Sequence, residues 1–292
     1  MKIALFGNRP EIQDNYYIQQ LISRLEGSGI EITLFEPLHK ILKEHISFQK
    51  KPETFTNYHE IINKIEYLFC IGGDGTMLGT VLLVQDSGIP VLGINLGRLG
   101  FLSSVPKKNI IPVIDEVLNK GYTLDKRTLL RLECEGNPFG TQNYALNEVS
   151  ISKKEPLSML NIEVHVNDEY LNTYWADGLL VATSTGSTAY SLSCGGPIVT
   201  PESHCFEITP IASHNLPVRP IVIPDDSDIR IRVTGREKDF IVGLDSRKAD
   251  FCASMELRIK KEDFTFNMIK PNSEKFFKTI REKLMWGLDI RN

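Results

Sequence analysis

Short apolar runs alternate with helix-length amphipathic segments through the first 120 or so residues. KIALFG (2 to 7) leads to YYIQQLISRLEGSG (16 to 29), where Ile18, Leu21, Ile22 and Leu25 recur at helical spacing and Gly27 and Gly29 supply a stop. EITLF (31 to 35), YLFCI (67 to 71) and IPVLGI (89 to 94) repeat the strand pattern, each bounded by Gly, Pro or charge. Continuous apolar runs of this length suit strands buried on both faces of a parallel sheet. Helical segments at 75 to 87 and 108 to 120 continue the alternation, which predicts a Rossmann-like open α/β domain over residues 1 to 121.

From about residue 122 the period becomes two. NIEVHV alternates Ile162, Val164 and Val166 with Glu163 and His165, DIRIRVT alternates Ile229, Ile231 and Val233 with Arg230 and Arg232, and MELRI does the same. Half-buried antiparallel strands read this way, so residues 122 to 268 predict a β-rich second domain of antiparallel sandwich type. SEKFFKTIREKLMW then offers a Ser273 cap and an apolar stripe of Phe276, Phe277, Ile280 and Leu284. That C-terminal helix, 273 to 286, is expected to pack back on the first domain.

Composition narrows the function classes. A chain of 292 residues suits two cores, and 41% hydrophobic with 24% charged residues is that of a folded globular protein. Net charge is −4 and no Lys/Arg-dense block occurs, so nucleic acid is excluded as a partner. The five widely spaced cysteines include no Cys-x-x-Cys pair, and no apolar run reaches membrane-spanning length. A cytoplasmic enzyme or binding protein with no membrane partner is the expectation.

Three glycine-rich clusters carry the candidate chemistry. CIGGDGTMLG (70 to 79) places Gly72, Gly73, Asp74, Gly75 and Thr76 at a strand-to-helix turn, the ligand edge of an α/β sheet. Glycines let the backbone approach a ligand closely, and the following helix offers free N–H groups to a phosphate. A carboxylate there would repel phosphate unless it binds a metal or takes a proton from an attacking hydroxyl. No Walker lysine motif and no G-x-G-x-x-G fingerprint is present, and Glu36, at the end of the second strand, reads as a turn residue. GINLGRLGFL (93 to 102) follows the next strand, with Arg98 a candidate phosphate contact. WADGLLVATSTGSTAYSLSCGGPIV (175 to 199) is rich in hydroxyls that suit ribose and phosphate oxygens, and Tyr190 suits stacking on a ring. There is no G-x-S-x-G and no His-x-x-x-His, so serine hydrolase and zinc chemistry are not indicated.

GGDGT (72 to 76), NLGRLGFL (95 to 102), LNEV (146 to 149) and DGLLVATSTGSTAYSLSCGGPI (177 to 198), in this order, resemble the motif set of the NAD kinase family. The GGDG element alone is shared with lipid kinases and phosphofructokinase; Asn147-Glu148 and TGSTAYSLS favour the NAD kinases. The resemblance implies an α/β domain followed by a β domain with the active site in the cleft between them. It also implies transfer of the γ-phosphoryl of ATP, or of polyphosphate, to the 2′-hydroxyl of the adenosine ribose of NAD, with a divalent cation, Mg²⁺, and a homo-oligomer, dimer or tetramer. It makes Asp74 the general base and places NAD along Asp74, Gly75, Asn147, Glu148, Asp177, Thr188, Ala189, Tyr190 and Ser193. Two positions depart from the family pattern. Asp245-Ser246-Arg247 stands where many members have Asp-Gly-Gln or Asp-Ser-Gln, making Arg247 a further candidate phosphate contact, and Trp175 stands where some have a basic residue. Two other readings remain at this point: a diacylglycerol- or sphingosine-type lipid kinase sharing the loop, and a non-catalytic NAD(P)-binding sensor.

Overall fold

The computed structural model describes residues 1–8, 10–156, 158–234, 239–253 and 255–286. Two compact units divide the chain, one formed by Met1–Lys126 together with the chain from Phe266 on, the other by Arg127–Thr265.

The first unit is built on a sheet whose strands run in the order Glu53–Phe55, Glu31–Phe35, Lys2–Phe6, Tyr67–Ile71, Val91–Asn95, Phe266–Pro271 and Tyr122–Arg127, with Val105–Pro106 also paired to Val91–Asn95. Pairing is parallel from Glu53–Phe55 through Phe266–Pro271. Tyr67–Ile71 is buried along its whole length, as its unbroken apolar run requires. Helix Asn15–Gly27 turns Ile18, Leu21, Ile22 and Leu25 inward, and Ile110–Leu118 does so with Ile110, Val113, Ile114 and Val117. These residues join Leu5, Phe69 and Leu92 in one core.

Two features of this unit were not visible in the periodicity. Glu36, expected in a turn, begins the helix Glu36–Leu42, with proline in its first turn where a missing N–H costs nothing. Phe266–Pro271, at the end of the two-period texture, pairs with Val91–Asn95 in the α/β sheet. A strand half buried on one face has the same alternation whichever sheet receives it. The C-terminal helix is Phe276–Leu284 and buries Thr279 and Ile280. Ser273, upstream of it, donates its N–H and hydroxyl to the Glu116 carboxylate, at 3.0 and 2.7 Å, within the same unit.

The second unit is a sandwich of two six-stranded sheets, antiparallel throughout. One runs Ile221–Pro224, Cys205–Ile211, Gly178–Thr183, Glu148–Lys153, Asp239–Leu244, Arg247–Cys252; the other runs Glu169–Ala176, Leu160–Val166, Ile229–Thr234, Glu256–Lys261, Leu130–Glu133, Tyr144–Ala145. Val149, Val181, Ile208 and Leu244 from the first meet Ile162, Val164, Ile231 and Leu257 from the second in a shared core.

Candidate functional site

Strand order in the α/β unit reverses beside Lys2–Phe6, because the chain builds outward to Glu53–Phe55 and then returns to the other side as Tyr67–Ile71. Ligands bind such sheets outside the carboxyl ends of the strands at that switch point. A pocket of about 400 Å³ lies there, lined by Asp14, Gly72, Gly73, Thr76, Arg98 and Lys107 among others. Gly7 lets the two strand ends converge, since a Cβ on it would lie 2.7 Å from Ile71 O.

Asp74 is the first residue of helix Asp74–Val84, with Gly73 as its N-cap. Its carboxylate does not cap that helix. It reaches across to the next loop and accepts the N–H groups of Phe101 (2.8 Å), Leu102 (3.0 Å) and Ser103 (2.9 Å), while Lys283 Nζ stands 3.3 Å from Oδ2. The two glycine clusters are thus clamped together through one carboxylate. A Cβ on Gly100 would lie 2.7 Å from Asp74 Cγ, so only glycine leaves room for the clamp. Ser103 Oγ adds a bond to Gly72 O at 2.6 Å.

Asn95 shapes the loop from inside. Its side-chain amide donates to Arg98 O (2.6 Å) and Ser103 O (3.2 Å), and its oxygen accepts the Gly97 N–H (2.8 Å). Sequence reasoning passed over Asn95, although an asparagine ending an apolar strand before Gly-rich chain is a recognisable turn signal. Arg98, the candidate phosphate contact, lines the pocket. Lys107, which was not singled out, lines it too and pairs with Asp14 at 3.1 Å.

In the β unit, the Asn147-Glu148 pair and the TGSTAY turn are brought together. Thr183 donates its N–H to Asn147 O (2.9 Å) and its hydroxyl to Leu146 O (2.6 Å). Gly186 packs so closely that a Cβ would lie 2.6 Å from the Asn147 carbonyl carbon. The hydroxyls read as ligand contacts divide into two groups. Thr183, Ser184, Ser187 and Ser191 are buried, and their hydroxyls bond Leu146 O, Pro201 O, Ser184 O and the Glu207 carboxylate. That departs from the ligand role expected for the whole cluster, since these four hydroxyls are bonded inside the fold to backbone carbonyls and, at Ser191, to a buried carboxylate. Thr188 and Ala189 remain half-buried, and Tyr190 and Ser193 exposed. Asp177 is half-buried and accepts a 2.7 Å bond from Lys153.

A row of carboxyls lies under this turn. Glu148 and Glu207 both stand opposite Ala182, one on each neighbouring strand, and Asp245 follows next to Glu148. Paired positions in antiparallel strands share a face, here the one opposite the core. Burial pushes Glu148 up to about 8, with the nearby Asp245 charge adding to the effect. Burial likewise pushes Glu207 up to about 7 against the Ser191 hydrogen bond that favours its ionised form. One oxygen of each, Glu148 Oε2 and Glu207 Oε1, is buried without a hydrogen-bond partner. Glu207 is completely buried.

Asp245 and Arg247 act as a brace. Asp245 accepts the N–H groups of Leu146 (2.9 Å), Asn147 (2.8 Å) and Glu148 (3.2 Å), fixing the backbone of the pair. Arg247 donates to the carbonyls of Gln142 and Tyr144 and lies over the Phe139 ring at 5.9 Å. Its guanidinium, a candidate phosphate contact because the residue departs from the family pattern, thus has two backbone carbonyl partners within the unit. Trp175 lies half exposed beside the His214 ring, 5.4 Å between centroids.

Among the described residues, no group of three or more His, Cys, Asp or Glu side chains is placed to hold a metal ion. No described helix is long and apolar enough to cross a membrane.

The α/β unit thus carries a glycine-rich turn that opens on a switch-point pocket, and the β sandwich carries an ordered, hydroxyl-rich turn. The ATP-NAD kinase N-terminal domain model matches residues 3–122, and the C-terminal domain model matches residues 146–270. NAD kinases of Flavobacterium psychrophilum and Flavobacterium johnsoniae are 47% and 46% identical, over the whole of this chain and of theirs. The chain belongs to the NAD kinase family. Its fold is also that of a yeast NADH kinase solved with NADH (24% identity, TM-score 0.88, covering 100% of this chain and 89% of that one). An NAD kinase from Archaeoglobus fulgidus solved with ATP shares it too (24% identity, TM-score 0.73, covering 98% and 99%).

Proposed function

We propose that this ATP-dependent NAD kinase transfers the γ-phosphoryl of ATP to the 2′-hydroxyl of the adenosine ribose of NAD, with Asp74 accepting the hydroxyl proton. The observation that carries the reading is the placement of Asp74: first residue of a helix whose N-terminus follows the glycines lining a 400 Å³ pocket. Gly72, Gly73, Gly75 and Thr76 supply the phosphate-facing turn, and Arg98 with Lys107 supplies positive charge. Asp74 Oδ1 already accepts two N–H groups, whereas Oδ2 has one N–H and the longer contact to Lys283. The attacking hydroxyl is therefore assigned to Oδ2. Asn147 and Glu148 hold the ribose, and Asp177, Thr188, Ala189, Tyr190 and Ser193 contact the rest of the dinucleotide.

Mg²⁺ typically keeps several waters and binds through one or two carboxylates plus substrate phosphates. Of the pocket lining, Glu11 and Asp14 are the carboxylates that would share the ion with the nucleotide. When bound, the ion offsets charge on the transferring phosphoryl. Five cysteines without a disulfide support a cytoplasmic setting. The family resemblance further implies a homo-oligomer, dimer or tetramer, which molar mass by light scattering tests directly.

The test is an assay of purified protein with Mg·ATP or Mg·polyphosphate and NAD, reading NADP by its enzymatic reduction. NADP formation supports the reading; NAD binding without NADP would make the chain a sensor. Asp74→Asn is expected to keep NAD binding and lose at least about 10²-fold in kcat, within the range a general base supplies. Near-normal turnover by that variant would remove Asp74 from the role of base.

A further inference from the structure

The C-terminal helix brings one charged group to the phosphate turn. Lys283, in the last turn of Phe276–Leu284, places Nζ 3.3 Å from Asp74 Oδ2 and 4.3 Å from the centre of the Phe101 ring. Lys283 and Asp74 are each about one-third exposed, at 31% and 32%. The helix itself is tied down by Ile280, which is 3% exposed, and is preceded by the Ser273–Glu116 bonds.

We propose that Lys283 is a positioning residue for phosphoryl transfer: its ammonium, resting on the Phe101 ring, holds Asp74 Oδ2 in register with the acceptor hydroxyl and offsets the carboxylate charge facing the phosphates. The inference rests on the assignment of Asp74 above. A bare carboxylate beside a polyphosphate raises the energy of the bound donor, because like charges at contact distance repel strongly where water is scarce. The three N–H groups on Asp74 orient it but carry no net charge; Lys283 adds a full one. Phe101 supplies both an N–H to Asp74 and a ring under the ammonium, so the loop and the helix converge on the same oxygen. Chemistry of this kind moves no extra proton: the hydroxyl proton still goes to Asp74, and Lys283 remains an ammonium throughout.

The experiment compares Lys283→Met, Lys283→Arg, Asp74→Asn and the Lys283→Met/Asp74→Asn pair by steady-state kinetics and thermal unfolding. An ion pair about one-third exposed adds little to stability, so Lys283→Met should move Tm by no more than about 4 °C. Its kcat should fall at least about tenfold, KM for NAD and for ATP should change less than about threefold, and Lys283→Arg should recover most of kcat. The double variant should be no slower than Asp74→Asn alone, because Lys283 acts through Asp74. An unchanged kcat in Lys283→Met overturns the proposal. So does a rise confined to KM for ATP, which would make Lys283 a donor contact, and so does an equal loss in both lysine variants that tracks a drop in Tm. If Asp74→Asn itself turns over normally, the Asp74 assignment has failed, and that result is read independently of residue 283.

Discussion

Replacing Gly100 by alanine tests the clamp between the two glycine-rich loops. An ideal Cβ at residue 100 lies 2.7 Å from Asp74 Cγ and 3.0 Å from Oδ2, while one at residue 97 meets nothing nearer than Asn95 Oδ1 at 3.8 Å. Gly100 is not among the glycines with positive φ, so alanine adds no backbone strain and its cost comes through Asp74 alone. To escape, the carboxylate must give up part of its set of three backbone N–H groups. The added Cβ falls nearest Oδ1, which accepts two of the three; a hydrogen bond to a charged group contributes about 1.5–3 kcal/mol, so losing both costs about 3–6 kcal/mol. Urea unfolding, read as a shift in midpoint at constant slope, measures it, with Gly97→Ala expected within about 0.5 kcal/mol of the parent. The decisive comparison is Gly100→Ala in an Asp74→Ala background, where the obstructing carboxylate is gone. There the cost should fall below about 1 kcal/mol, a coupling of at least about 1.5 kcal/mol between sites in contact. Additivity of the two substitutions to within about 0.5 kcal/mol would refute the clamp.

Gly186→Ala should be more damaging than alanine at an open glycine such as Gly27, because its Cβ would meet the Asn147 carbonyl group; reduced NAD affinity by titration calorimetry together with a lowered Tm checks it. Arg247→Met should destabilise the chain by about 1–3 kcal/mol through loss of its two bonds to backbone carbonyls, yet leave KM for ATP of the folded enzyme unchanged; a selective rise in that KM would favour the phosphate role. Glu148 and Glu207, raised from 4.5 to about 8 and about 7, hold protons in the folded chain that the unfolded chain releases. Their contribution to stability is complete below about pH 4.5 and is lost as pH rises through 7 to 8, by at most about 1.4 kcal/mol per pH unit for each group. Urea midpoints taken between about pH 6 and pH 9 should fall, and less steeply in Glu207→Gln; a fall of equal slope in that variant would count against the buried, protonated carboxyl.

Much of this protein was legible in its residue pattern. Apolar runs such as YLFCI are interpretable alone because a strand buried on both faces tolerates nothing else, and the two-residue alternation of NIEVHV, DIRIRVT and MELRI marks strands with one face buried. The glycine clusters were legible too, since close backbone approach requires residues without a Cβ. Tertiary structure decided how the polar groups are used. Asp74 reads from sequence as a carboxylate in conflict with phosphate; only the loop folded back from Val91–Asn95 supplies the N–H groups it binds, and only the distant C-terminal helix supplies Lys283. Likewise the hydroxyls of Thr183, Ser184, Ser187 and Ser191 look alike to those of Thr188 and Ser193 in one dimension, and burial alone separates those that hold the turn from those left accessible. A side chain's type limits which bonds it can make, but which bonds it does make depends on neighbours brought from far along the chain, and no local period encodes them.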